Sequence, residues 1–229
     1  VLTNEKESAT TSLELDFPNQ KHNSLYNFIK RSIDIMLATF LILLLSGVMV
    51  CIYALLKIKE PKANPIFSQE RFGLNYKRIK VYKFRSMVSN ASELLEKDKE
   101  LFKKYVANDY KLDPDEDPRM TSLGRFLRST SLDELPQLFN VLNGSMTFVG
   151  PRPIVDKELY TEYTELEIQY LLSVKPGISG YWQVNGRSNV KYPERKRMEL
   201  YYVQNKSIKL DFQIMFKTIF SVLKKDGAY

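Results

Sequence analysis

The sequence predicts a mostly helical α/β domain with a small sheet, membrane-associated and monotopic, with an amino-terminal re-entrant membrane helix. Three observations carry that reading. Residues 36–56, MLATFLILLLSGVMVCIYALL, run without a charge. Helical periodicity recurs through much of the remaining chain. β-type patterning is confined to short stretches, within residues 63–87 and at 146–149.

The apolar run would make a straight helix roughly 31 Å long, enough to span a bilayer. A buried core helix is the alternative without a membrane. The flanks favour the membrane: Lys21, Lys30 and Arg31 precede the run, and Lys57, Lys59 and Lys62 follow it. Positive residues mark the cytoplasmic side, and a simple span would prefer asymmetry. Ser46-Gly47 lies near the midpoint, and Gly/Ser pairs are places where helices bend. Each arm would then be about 10 residues, roughly half the hydrocarbon thickness. A helix that enters, bends and returns to one face accounts for both flanks. Asp34, at the edge of the run, is expected to pair with Arg31 at i, i+3. The organisation read from the chain is a polar tail or linker over 1–24, the membrane helix with its basic flanks over 25–62, and the main domain over 63–229. The run starts too late and is too long for a secretory signal.

Composition narrows the chemistry. The formal net charge is +7 and the pI about 9.2, which points to an anionic partner: nucleic acid, an acidic membrane surface or a phosphorylated substrate. The single cysteine, Cys51, excludes an internal disulfide, and the single histidine, His22, lies in the polar tail. Ser-His-Asp, Cys-His and zinc chemistry are therefore disfavoured. Any nucleophile or base has to come mainly from Asp, Glu, Lys, Ser or Tyr, and a metal would be a hard ion held by oxygen, such as magnesium.

Along the main domain, Gly73 and Asn75 mark a turn between extended segments rich in basic residues. Lys83 and Arg85 fall on one strand face at i, i+2 and are placed to grip one anion. Residues 90–106 read as one helix with Leu94, Leu95, Leu101, Phe102, Tyr105 and Val106 on its apolar side. Asp113, Asp115 and Asp117 alternate like the start of a calcium loop, but Pro118 and Gly124 stand where that loop needs glycine and glutamate. Helices are expected over 156–173, from Pro193 to Tyr202, and over 208–223. In the last, core packing and a position in the membrane interface are rival fates for Phe212, Phe216 and Ile219. No Walker or dinucleotide glycine motif occurs, and no nucleic-acid-binding motif accompanies the charge.

The densest chemistry lies in residues 125–153, RFLRSTSLDELPQLFNVLNGSMTFVGPRP. Pro136 fits a helix only in its first turn. A helix carrying Leu135, Leu138, Phe139 and Leu142 should therefore start near Leu132, with Asp133 and Glu134 at its positive end beside Arg128. Such a cluster suits phosphate and metal chemistry. Ser131 to Glu134 also matches a capping box, which would make the pair merely structural. Two prolines fix the backbone around Arg152, which would preorganise its guanidinium for a phosphate.

Several ordered segments carry a resemblance: FSQERFG (67–73), YKFRSM (82–87), DPRMTSLGRFLRSTSLDELPQLFNVLNGSM (117–146), VGPRP (149–153), KPGISGYWQVNGRS (175–188) and KKDGA (224–228). In these the chain resembles the bacterial sugar transferases, the monotopic phosphoglycosyl transferases. The resemblance implies a re-entrant helix and a small α/β catalytic domain on the cytoplasmic face of the bacterial inner membrane, against its phospholipid. It implies transfer of a sugar-1-phosphate from a nucleotide diphosphate sugar, a UDP-sugar above all, to polyprenyl phosphate. That step begins capsule, exopolysaccharide or O-antigen synthesis. By motif, Asp133 would be the nucleophile and Glu134 would bind Mg2+ beside it. Arg128 and Arg152 would hold phosphates, with Lys83, Arg85 and Arg187 as further candidates. A homodimer is compatible. One departure is Gly47, where members usually carry a proline. Glycine permits a bend without imposing it. A start at Val1 fits a short member or the carboxy-terminal part of a long one.

Overall fold

Thirty-six consecutive residues, Ser24–Lys59, form the first helix, α1, in the computed structural model, which describes residues 24–108, 112–113, 115–186 and 190–223. The tail up to residue 23, Arg187, and the closing KKDGA lie outside the described residues. Helix α1 is long and apolar enough to cross a membrane. Its middle, residues 39–51, contains no buried side chain, and Phe40, Leu43, Leu44, Val48 and Val50 are exposed. Its two arms nevertheless rest on the same domain. Ala38 joins a cluster with Val81, Val141 and Met146, while Ile52 and Leu56 join one with Phe84 and Leu127.

Polar bonds fasten the first arm. Asp34 does not pair with Arg31. Its buried carboxylate accepts hydrogen bonds from Thr147 Oγ1 (2.8 and 3.0 Å) and the Phe148 amide (3.1 Å). Arg31 instead donates to the carbonyls of Val141 and Leu142, at 2.6 and 2.9 Å. Helix-end carbonyls lack intrahelical donors and attract cations, so the guanidinium finds a better partner there than in its own helix. Lys30 binds Asp211 at 2.7 Å.

Strands β1 (Ile66–Phe72) and β2 (Arg78–Phe84) form an antiparallel hairpin across the anticipated turn, with Asn75 and Tyr76 at positive φ. The single helix expected over 90–106 is two, α2 (Ala91–Lys97) and α3 (Lys99–Ala107). Asp98 divides them because its carboxylate accepts the amides of Glu100 and Leu101 and so caps α3. Helix α4 (Ser122–Ser129) is capped by Thr121 and crosses tightly over the backbone beyond β2. A Cβ on Gly124 would sit 1.8 Å from the Ser86 carbonyl oxygen, so only glycine allows this approach.

A one-turn 3-10 segment, Leu132–Glu134, leads to α5 (Gln137–Leu142), capped at Pro136. Strand β3 (Thr147–Val149) pairs in parallel with β4 (Gly177–Ser179), giving a second two-stranded sheet. Between these strands lie α6 (Asp156–Glu162) and α7 (Glu165–Leu171), not one helix, because Thr164 and Glu167 form a capping box that starts a new one. Helices α8 (Tyr181–Asn185), α9 (Glu194–Asn205) and α10 (Ile208–Leu223) complete the fold. The main core gathers Val149, Leu159, Ile168, Leu200, Val203 and Ile214. In helix α10, Ile214 is buried in the core, whereas Phe212, Phe216, Ile219 and Phe220 are exposed.

Candidate active site

Asp133 and Glu134 occupy the 3-10 turn between α4 and α5. The capping-box reading of this turn fails. Ser131 takes a left-handed conformation (φ 57°) and makes no capping bond. The carboxylates point to other partners. Asp133 is buried, 5% exposed. Glu134 is half-buried, and its Oε1 accepts Lys83 Nζ at 2.6 Å. Lys83 comes from β2, so the hairpin supplies the first cation of the site.

The two carboxylates differ electrostatically. Burial pushes Asp133 up to about 6, against the pull of Lys83 and Arg128, with the neighbouring Glu134 charge adding to the rise. Burial works the same way on Glu134, but Lys83, Arg152 and the Gln137 amide outweigh it and hold it below the usual carboxylate range. One acid is thus a firmly ionised anchor, and the other is a desolvated carboxylate, still mostly ionised at neutral pH.

Arg128, in the last turn of α4, acts on both Asp133 and the buried Asp117. Asp117 itself is taken by Arg119, through two side-chain bonds of 2.8 and 2.7 Å. Arg152 follows β3, and its Cζ lies 5.9 Å from the Trp182 ring centroid. The turn that carries it is stitched to β4: the Gly150 amide donates to Ser179 O (2.9 Å) and the Gly177 amide to Pro151 O (2.8 Å). A Cβ on Gly150 would meet Lys175 O at 2.5 Å, so the close crossing requires glycine there. Neither the Arg128 nor the Arg152 guanidinium has a hydrogen-bond partner among the described residues, leaving both forks open to an anion.

The structure therefore brings together Asp133, Glu134, Lys83, Arg128 and Arg152. Lys83 and Arg85, expected to share one anion, have different partners. Arg85 lies just past the end of β2, donates from Nε to Asn64 O at 2.8 Å, and faces Phe67. Residues that sequence reading missed include Gln137, Arg71, Arg195 and Glu199. Arg71 lies near the end of β1, and burial together with the Arg152 and Arg195 charges pushes it down to about 10. Its place in FSQERFG was the available sign, but it was one basic residue among many in that segment.

The family model described as bacterial sugar transferase matches residues 25–225. The chain belongs to the bacterial sugar transferase family. Members similar to it include the undecaprenyl-phosphate galactose phosphotransferase of Salmonella typhimurium, 43% identical over 212 residues, covering 88% of this chain and 42% of the relative. The UDP-glucose:undecaprenyl-phosphate glucose-1-phosphate transferase of Escherichia coli is 41% identical, over 88% and 41% of the two chains. The exopolysaccharide production protein ExoY of Sinorhizobium fredii is 36% identical and matches 97% of both. This chain thus spans less than half the length of the first two sugar transferases and nearly all of the third.

Proposed function

We propose that this sugar transferase moves a sugar-1-phosphate from a nucleotide diphosphate sugar, preferably a UDP-sugar, to polyprenyl phosphate, initiating a surface or exported polysaccharide. The observation that carries the reading is a buried carboxylate, Asp133, in the field of Lys83 and Arg128, beside a Glu134 that Lys83 and Arg152 keep ionised.

In this reading Asp133 attacks the phosphorus that bears the sugar. The new bond joins its carboxylate oxygen to phosphorus. The bond from phosphorus to the bridging oxygen breaks, and nucleoside monophosphate leaves with that electron pair. An oxygen of polyprenyl phosphate then attacks the same phosphorus, the acyl-phosphate bond breaks, and the Asp133 carboxylate is restored. Burial suits Asp133 to this work because a poorly hydrated carboxylate has less water to shed before attack. Arg128 and Arg152 would bind the phosphate oxygens and offset the repulsion between anions. Lys83 holds Glu134 in place, while Arg85 and Arg187 remain weaker candidates for substrate contact.

The donor set fits magnesium: two adjacent carboxylates, Glu134 and Asp133, offer hard oxygen ligands, and this ion commonly completes its shell with water and substrate phosphate. When bound there it would neutralise phosphate charge.

The re-entrant course of α1 is supported by its anchorage. Arg31, Asp34 and Ala38 on one arm and Ile52 and Leu56 on the other all bind the same domain. A helix spanning the bilayer would put these arms on opposite faces. The exposed Phe212, Phe216, Ile219 and Phe220 of α10 offer an apolar face to the phospholipid surface. Both flanks would then be cytoplasmic. A membrane-impermeant amine label applied to intact spheroplasts should spare Lys30, Lys57 and Lys59; modification of one flank alone would mean a span.

Transfer itself is checked by mixing the detergent-solubilised protein with magnesium, undecaprenyl phosphate and, in turn, UDP-glucose, UDP-galactose and UDP-N-acetyl sugars. One donor should give UMP and a lipid-linked diphosphosugar in equal amounts. UMP without a lipid product would mean hydrolysis and contradict the proposal.

A further inference from the structure

Pro151 and Pro153 have no amide hydrogen, so Arg152 supplies the only backbone donor of its triplet. That donor points into the protein. It reaches the carboxylate of Glu199, 47 residues away on α9, at 3.2 and 3.3 Å from the two oxygens. Glu199 is buried, 2% exposed. One helical turn earlier, Arg195 is also buried. Its Nη1 binds Glu158 at 2.7 Å and its Cζ lies 4.2 Å from the Trp182 ring centroid, the same ring that Arg152 approaches. A carboxylate is withdrawn from water only where partners compensate it, and packing alone would be served by an apolar residue. The charge at Glu199 therefore asks for a purpose, and its hydrogen bond names one.

We propose that Glu199 is a positioning residue for the donor site: its carboxylate anchors the Pro151-Arg152-Pro153 turn from within and so directs the Arg152 guanidinium toward the Asp133-Glu134 pair. The inference rests on the reading of Arg152 as a phosphate ligand. With β4 holding Gly150 and Pro151, and Glu199 holding the Arg152 amide, the backbone is fixed from both sides, and little but the side chain is left to move. The groups facing Glu199 are Arg195 of its own helix, Arg152 of the turn, Glu158 of α6 and Tyr163 just beyond α6. Burial pushes Glu199 up to about 7 against the pull of Arg195 and Arg152. The charged anchor is present above that pH and lost as pH falls through it.

The test compares wild type, Glu199→Gln, Arg152→Ala and the double variant. It uses whichever UDP-sugar supports turnover, with saturating undecaprenyl phosphate, and Tm is measured alongside. Glutamine keeps the size and a neutral acceptor. Arg152→Ala should lose on the order of 100-fold in donor kcat/KM. Glu199→Gln should lose about 10-fold, with kcat affected as well as KM and no fall in Tm. The double variant should be no worse than Arg152→Ala, because Glu199 acts through Arg152. Donor kcat/KM reports groups of the free enzyme, so its acid limb should fall near 7 in the wild type and move lower in Glu199→Gln. Unchanged kinetics in Glu199→Gln, or full additivity in the double variant, would overturn the positioning role and leave Arg152 as a ligand. Wild-type kinetics in Arg152→Ala would instead overturn the reading of Arg152, and the inference with it. Should Glu199→Gln fail to fold, Glu199→Asp, which keeps the charge but shortens its reach to the Arg152 amide, takes its place, and wild-type donor kinetics in that variant contradict the proposal.

Discussion

Asp133→Asn is expected to abolish transfer and, at the same time, to make the protein more resistant to heat. The two effects have one cause. Asp133 is buried, and burial pushes its carboxyl up to about 6. The fold therefore holds a charge in a place that disfavours it, even with Lys83 and Arg128 nearby. Asparagine keeps the shape and removes both the charge and the repulsion from Glu134. The gain should be on the order of 1–2 kcal/mol, a rise of roughly 2–8 °C in Tm for a chain of this size. Loss of a covalent nucleophile should lower kcat by about 10⁴-fold or more. A purely structural Asp133 predicts otherwise, since its replacement would lower Tm and spare the chemistry. Thermal unfolding and product formation, measured on the same preparation, separate these cases.

Arg128→Ala should have the next largest effect. Its guanidinium acts on Asp133 and on Asp117, yet Asp117 is already satisfied by Arg119 at 2.7–2.8 Å. Removing Arg128 therefore leaves no buried acid without its hydrogen bonds, and the fold should hold, with Tm changed by only a few degrees. Catalysis should not hold. An open guanidinium beside the attacking carboxylate is placed to bind phosphate charge as it develops, and losing such a group costs on the order of 10²–10³ in kcat/KM. Lysine would restore charge but not the planar fork, so Arg128→Lys should recover only part of the loss. Steady-state kinetics with the active donor check this. An Arg128→Ala variant within about twofold of wild type would remove Arg128 from the site.

Some of this was readable from the chain because it is local. The uncharged run gave α1. The restriction that Pro136 places on a helix predicted a start near Leu132, but a 3-10 turn carries Asp133 and Glu134 and α5 begins only at Gln137. Spacing misled where a longer-range partner was better. Arg31 and Asp34 sit at i, i+3, but the carbonyls ending α5 and the hydroxyl of Thr147, more than 100 residues away, compete successfully for them. Lys83 is 51 residues from Glu134, and Glu199 is 47 from Arg152. Periodicity says nothing about such pairs. Asp98 was overlooked for a different reason: a helical stretch with good apolar spacing hides an internal cap. In the site, the acidic pair and both arginines were legible, because proline and charge crowd into one segment. The carboxylate that holds the arginine turn was not, because nothing around residue 199 distinguishes a buried glutamate from an exposed one.

The central claim is that Asp133 carries the phosphosugar. Intact-mass spectrometry of the solubilised protein, mixed with magnesium and each UDP-sugar but without carrier lipid, tests it most directly. One donor should add the mass of a phosphosugar, Asp133→Asn should show no such addition, and undecaprenyl phosphate should discharge it. If no donor gives an adduct, yet UMP is released once undecaprenyl phosphate is supplied, transfer is direct between donor and acceptor, and Asp133 is not the nucleophile.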